Sequence, residues 1–163
     1  MLSDQELKFL EELGRQKVQF MIVGLAAAAM QGAPVVTQDL GLWFKDLADS
    51  GIRKALRKVG GAYVPPIGLH PPVFAGKAVK LFDVVIHMHG LEEFEKEAQT
   101  SLWISLGRFK VRVLPLERII ESKKATGREK DKLVLSVLAD ALVAIRERTR
   151  GRRAQGKKRR DQR

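Results

Sequence analysis

"FMIVGLAAAAMQGAPVVTQDLGLW", residues 20–43, is the stretch that decides the fold. It opens on a short apolar run ending at Gly24, followed by "LAAAAMQG", a helix that Gly32 stops with Pro34 just beyond. "DLGLWF", residues 39–44, then reads as a second strand. Two strands joined through a short helix inside about 25 residues call for a sheet, with a helix packed on it. Within the second strand Asp39 and Gly41 are two apart, so both positions point to one face while Leu40 and Leu42 point to the other.

The rest of the chain extends this pattern. Ser3 and Glu6 form a capping box that opens a helix reaching about Gly14, with Leu7, Phe9, Leu10 and Leu13 on or near its buried face. Asp49 and Ser50 can cap a helix to about Val59. Residues 63–73, "YVPPIGLHPPV", hold four of the six prolines and read as a loop or edge segment. "VKLFDVVIHMH", residues 79–89, is the longest strand expected, and "GLEEFEKEA" after it is a short helix. "LWISLGRFKVRVL" predicts a hairpin turning near Gly107, and Pro115 suits the first turn of a helix to about Lys124. From Arg128, Leu133, Val134, Val137, Leu138, Ala141, Leu142 and Ile145 recur with helical period. The expected class is α/β (α+β), a mixed β-sheet flanked by helices, with one domain over 1–145 and a basic tail over 146–163.

Charge is unevenly placed. Residues 146–163 hold ten Lys/Arg and two Asp/Glu, a net of +8 out of the chain's +11, leaving 20 against 17 elsewhere, a net of +3. Such a tail is expected to be flexible alone and to attract phosphate polyanions such as RNA, without sequence specificity. No apolar run approaches the ~18 residues of a membrane span. The acidic, amphipathic start "MLSDQELKFLEELG" does not resemble a targeting peptide, and the lack of cysteine suits a cytoplasmic protein.

Asp83 sits within "LFDVVI", where apolar flanks predict burial and hence a need for a cation, hydrogen-bond donors or a raised pKa. Asp39 and Asp83 on different strands could meet across a sheet. Mg²⁺ suits such a pair because it takes oxygen ligands and leaves room for substrate phosphates. The alternative is that backbone N–H groups or a nearby Lys satisfy each acid. His87 and His89 could chelate zinc with a third ligand, or simply end a strand. Trp43 could stack on a base, or serve as a core residue.

The run over residues 20–43 resembles the opening of the minimal nucleotidyltransferases of the DNA polymerase beta-like superfamily. There a strand ends in Gly-Gly or Gly-Ser, a helix follows, a second strand carries Asp-x-Asp, and a third acid lies on a later strand. "LERIIESKKATGREKDKLVL", residues 116–135, is similar to the family's C-terminal stretch. The resemblance covers about residues 18–143. It implies a nucleoside triphosphate lying against the first helix's N-terminus, and acids holding Mg²⁺ ions for transfer to a hydroxyl. Gly24 matches the first glycine, Asp39 the first acid and Asp83 the third, with Lys123, Arg128 and Lys130 able to reach triphosphate or RNA.

Two positions depart from the pattern. Leu25 stands for the second glycine or serine of the nucleotide-binding turn, and Gly41 for the second, metal-bridging acid. Losing such an electrostatic contact implies a rate loss of at least roughly 10²–10³. The expectation is a fold that binds nucleotide or RNA with impaired transfer. The competing expectations are an active, toxin-like Mg²⁺-dependent enzyme taking a carboxylate from Asp46 or Asp49, and a non-enzymatic module binding RNA or a protein partner through the tail.

Overall fold

The computed structural model describes residues 2–160, with the backbone alone described for residue 130 and residues 152–160. Helix α1 (Asp4–Arg15) opens on the expected capping box, the Glu6 N–H donating to Ser3 Oγ and the Ser3 N–H to Glu6 Oε2 at 2.7 Å. Strand β1 (Phe20–Val23), helix α2 (Gly24–Met30) and strand β2 (Leu40–Phe44) follow as the opening stretch requires. Helix α3 (Ser50–Lys58) is capped by Asp49, whose carboxylate accepts from the Gly51 N–H at 2.8 Å.

The proline-rich segment is a loop, as expected, with short strands at its ends. It is bracketed by strands β3 (Ala62–Val64) and β4 (Val73–Ala75), which pair antiparallel as a separate two-stranded sheet. The prolines occupy the connection, where no ladder N–H is needed. Strand β5 (Phe82–Val85) is shorter than its apolar run. A single 3₁₀ turn (Lys77–Val79) precedes it, and His87 and His89 lie beyond its end. Helix α4 (Phe94–Thr100), the hairpin β6 (Leu102–Leu106) and β7 (Phe109–Val113), and helix α5 (Leu116–Thr126) follow. The terminal helix α6 (Glu129–Arg160) does not stop near residue 145 but runs on through the basic segment. Residues 161–163 of that segment lie outside the described residues.

The main sheet has the order β5-β2-β1-β7-β6. β1 pairs antiparallel with β2 and parallel with β7, β2 parallel with β5, and β6 antiparallel with β7, so the sheet is mixed as anticipated. Register divides its faces. Phe20, Ile22, Leu40, Leu42, Phe44 and Phe82 are buried, and Phe82 stacks against Phe9 of α1 with ring centroids 5.1 Å apart. On the other face Trp43 is buried against Phe94 of α4, edge to face at 5.6 Å. Trp43 is thus a core residue, out of reach of a stacked base.

Gly127 closes α5 in the left-handed region (φ 63°), where a side chain would be strained. The chain then reverses and α6 packs back on α5, burying Leu138 and Ala141. The reversal brings Asp131 to Lys123, with Nζ–Oδ1 2.6 Å.

Candidate functional site

The sheet places position 41 where a shared site needs it. Val23, Gly41 and Asp83 are register partners on β1, β2 and β5 and point to one face. Adjacent strands lie about 4.8 Å apart, so a carboxylate at 41 would stand directly beside Asp83. Asp39 immediately precedes β2, two residues and about 7 Å back along the same face.

The two acids differ in setting. Asp39 is exposed in a tight local turn, where the Thr37 hydroxyl donates to Oδ1 at 2.8 Å. Asp83, expected to be buried, is exposed, because β5 is an edge strand and its outward face borders a cleft instead of a packed layer. Partial burial of the carboxyl in that cleft wall pushes its pKa above the usual aspartate value, and the charge of Asp39 pushes the same way. The second cause places the Asp39 charge near enough to act on Asp83.

The sign of this effect is testable. An acid whose folded pKa is raised binds more protons folded than unfolded, so its contribution to stability falls as pH rises through that window. Asp83→Asn should therefore melt no lower than the native chain at neutral pH. Asp39→Asn should bring the Asp83 pKa part of the way down, burial remaining. Thermal circular dichroism reads the first and carboxyl-carbon NMR titration the second, and an Asp83 pKa unmoved by Asp39→Asn would separate the two acids.

A cleft of about 600 Å³ between β5 and α5 is lined by Gly24, Asp83, Lys123 and Arg128 together with His87 and His89. Six of the residues singled out from sequence therefore converge, while Asp39 does not line this cleft. Gly24 sits at φ 71° with open space where a side chain would project. Leu25 does not line the cleft but packs half-buried on the core, and Lys130's side chain lies outside the described residues. Lys123 is held by Asp131, a pairing invisible to sequence because it spans the turn at Gly127. The His87 and His89 rings lie edge to face at 5.2 Å. Among the described residues no three His, Cys, Asp or Glu side chains form a metal-binding group.

Asp46 and Asp49 do not substitute for the missing acid. Both follow the far end of β2, where Asp46 accepts from the Ala48 N–H at 2.8 Å and Asp49 caps α3. Position 41 itself is half-buried and flanked by apolar groups. A Cβ there would lie 3.1 Å from Val23 Cγ2 and 3.2 Å from Val85 Cγ2.

No family model and no curated protein matches the sequence. Solved structures do match. A solution structure of the antibiotic-resistance factor ANT(2″)-Ia aligns over 98% of this chain and 96% of that one, with a TM-score of 0.55 at 15% identity. A crystal structure of ANT(2″)-Ia in complex with adenylyl-2″-tobramycin aligns over 92% and 99%, with a TM-score of 0.56 at 15% identity. An antigenic nucleotidyltransferase-like protein from Paracoccidioides brasiliensis aligns over 88% and 78%, with a TM-score of 0.53 at 16% identity. The fold is nucleotidyltransferase-like. At such identities the likeness is one of architecture. Among the described residues no helix is long and apolar enough to cross a membrane.

Proposed function

We propose that the protein binds a nucleoside triphosphate in the cleft between β5 and α5, and that nucleotide transfer is strongly impaired. The observation that carries the second half is the packing at Gly41. Two valine methyl groups stand within 3.2 Å of where a side chain would start, so the second acid is replaced by an apolar surface and not by another ligand. The gathering of Gly24, Asp83, Lys123 and Arg128 around one cleft supports the first half.

Mg²⁺ fits this donor set in part. Asp39 and Asp83 repel one another, which a divalent ion between them would relieve. The two carboxylates suit one weakly held ion and do not suit a two-ion arrangement, which needs the bridging acid. When bound, the ion would neutralise phosphate charge. Lys123 and Arg128 would orient the phosphates from the opposite wall.

Calorimetric titration of each nucleoside triphosphate, with and without Mg²⁺, tests the reading. Binding is expected in both conditions and stronger with Mg²⁺; Asp83→Asn should remove the Mg²⁺ increment, and Lys123→Ala with Arg128→Ala the remainder. Absence of binding, or transfer at ordinary enzyme rates that Asp39→Asn abolishes, would overturn it.

The net charge of +8 carried by residues 146–163 supports a second role, RNA binding through this basic continuation of α6. Deleting 146–163 should remove most RNA affinity and flatten its salt dependence. Unchanged binding would exclude this role.

A further inference from the structure

A second cleft is bordered by Asp39 and not by Asp83. It has a volume of about 650 Å³, the size of small-molecule sites, and shares no lining residue with the cleft that holds Asp83. Its walls come from the start of α1, the exposed side of α2, the loop before β2 and the β6–β7 turn. They are apolar, supplied chiefly by Leu2, Leu7, Met30, Val36, Leu81 and Leu106. Val36 is 92% exposed, a large apolar surface that nothing in the fold covers. Asp39 is the one charged residue lining the cleft among the described residues. Its Oδ1 accepts from Thr37, and Oδ2 has no hydrogen-bond partner among the described residues.

We propose that this cleft binds an apolar small molecule bearing an amine, its hydrocarbon part against the α1–α2 wall and its ammonium group on Asp39. Charge complementarity selects this class. A carboxylate or phosphate ligand would place like charge beside Asp39, while an uncharged apolar ligand would leave the carboxylate unmatched. A polynucleotide is disfavoured for the same reason, since among the described residues no cationic side chain lines the cleft. The cleft has different walls from the nucleotide site but shares Asp39 with the Mg²⁺ reading, so it is probed without Mg²⁺ as well as without nucleotide. It does set a geometric relation, with the amine held against Asp39 while the other cleft presents Asp83.

The test uses n-octylamine, octanoate and 1-octanol, each below its aggregation concentration, titrated calorimetrically into the full chain without nucleotide or Mg²⁺. Octylamine should bind at least about tenfold more tightly than octanoate, a difference combining attraction and repulsion at Asp39. Asp39→Asn should bring octylamine to the level of octanol and leave octanol unchanged. Ala29→Trp fills the cleft from the exposed side of α2 and should abolish binding of all three, with an unchanged circular dichroism spectrum reporting the intact fold. Backbone amide shifts on octylamine addition should fall at Met30, Val36 and Leu106. Equal affinity for amine and carboxylate, binding that survives Ala29→Trp, or shifts confined to the Asp83 cleft would each overturn the proposal. Nucleotide titration on the same sample is a separate readout, so failure of either reading is seen independently.

Discussion

Arg118→Met is expected to lose about 3–5 kcal/mol of stability, because it leaves a buried carboxylate without its cation. For a chain of this size that lowers Tm by about 10 °C, read by calorimetry or thermal circular dichroism. The carboxylate is Glu97, whose side chain is 3% exposed. Arg118 Nε donates to Glu97 Oε2 at 2.8 Å, its Nη2 reaches Oε1, and the Glu92 N–H donates to Oε1 at 3.0 Å. Arg118 also pairs with Glu121 through Nη1. The pair ties α4 to α5, and α4 is the element whose Phe94 covers Trp43.

Two further results separate this account from simple loss of packing. The double variant Glu97→Leu/Arg118→Met should recover most of the loss, since no charge is then buried. The pH dependence should also invert. In the native chain the Arg118 hydrogen bonds hold Glu97 below the usual glutamate range, against burial and with help from the Glu92 N–H. Its stabilisation is therefore complete above the ordinary glutamate pKa and is lost as pH falls through the depressed folded value. With Arg118 removed, burial dominates and raises the Glu97 pKa. Arg118→Met should accordingly gain stability on mild acidification where the native chain does not. A variant losing less than about 1 kcal/mol would show the pair to be screened like a surface bridge.

Gly41→Asp is the second large effect, and alone it is expected to fail. The new Cβ meets Val23 Cγ2 at 3.1 Å and Val85 Cγ2 at 3.2 Å, so the substitution overpacks the face at a cost of about 1–3 kcal/mol. Val85 is half-buried on the edge strand β5, and Val85→Ala removes one of the two obstructions. Gly41→Asp/Val85→Ala should be more stable than Gly41→Asp and should bind nucleoside triphosphate with Mg²⁺ at least about tenfold more tightly than the native chain. Without Mg²⁺ the same variant should bind more weakly than native, because a third carboxylate beside Asp83 repels phosphate. Transfer activity appearing only in this variant would identify Gly41 as the position that silences the site. Unchanged Mg²⁺ dependence would show that the fold's metal chemistry has been lost elsewhere too.

The architecture was legible because independent local signals agreed. The capping box at Ser3, the strand–helix–strand run over 20–43, the hairpin at Gly107 and the period from Leu133 each place one element, and together they admit few topologies. The convergence of Gly24, Asp83, Lys123 and Arg128 followed from that order. Asp83's exposure did not, because apolar neighbours signal a strand without saying whether it lies inside a sheet or at its edge. The short sheet flanking the prolines was hidden because proline demotes a strand in any local reading. Lys123 held by Asp131, the apolar groups flanking Gly41 and the second cleft are all tertiary, made by residues far apart in sequence.

Strand β5 has a consequence for how this protein can change over time. Phe82 anchors it to Phe9 on one face and Asp83 serves the other, one residue apart. A shift of one position would exchange the two, so the aromatic cluster on the far side holds the acid in its place. The anchor on the acid's own face is Trp43 against Phe94, and Asp83 takes no part in it. Architecture and the cleft-facing acid therefore lie on opposite faces of one strand: Phe82 fixes the frame through Phe9, and Asp83 faces the cleft. A lineage carrying this sheet can discard a reaction, or acquire one, without first having to refold.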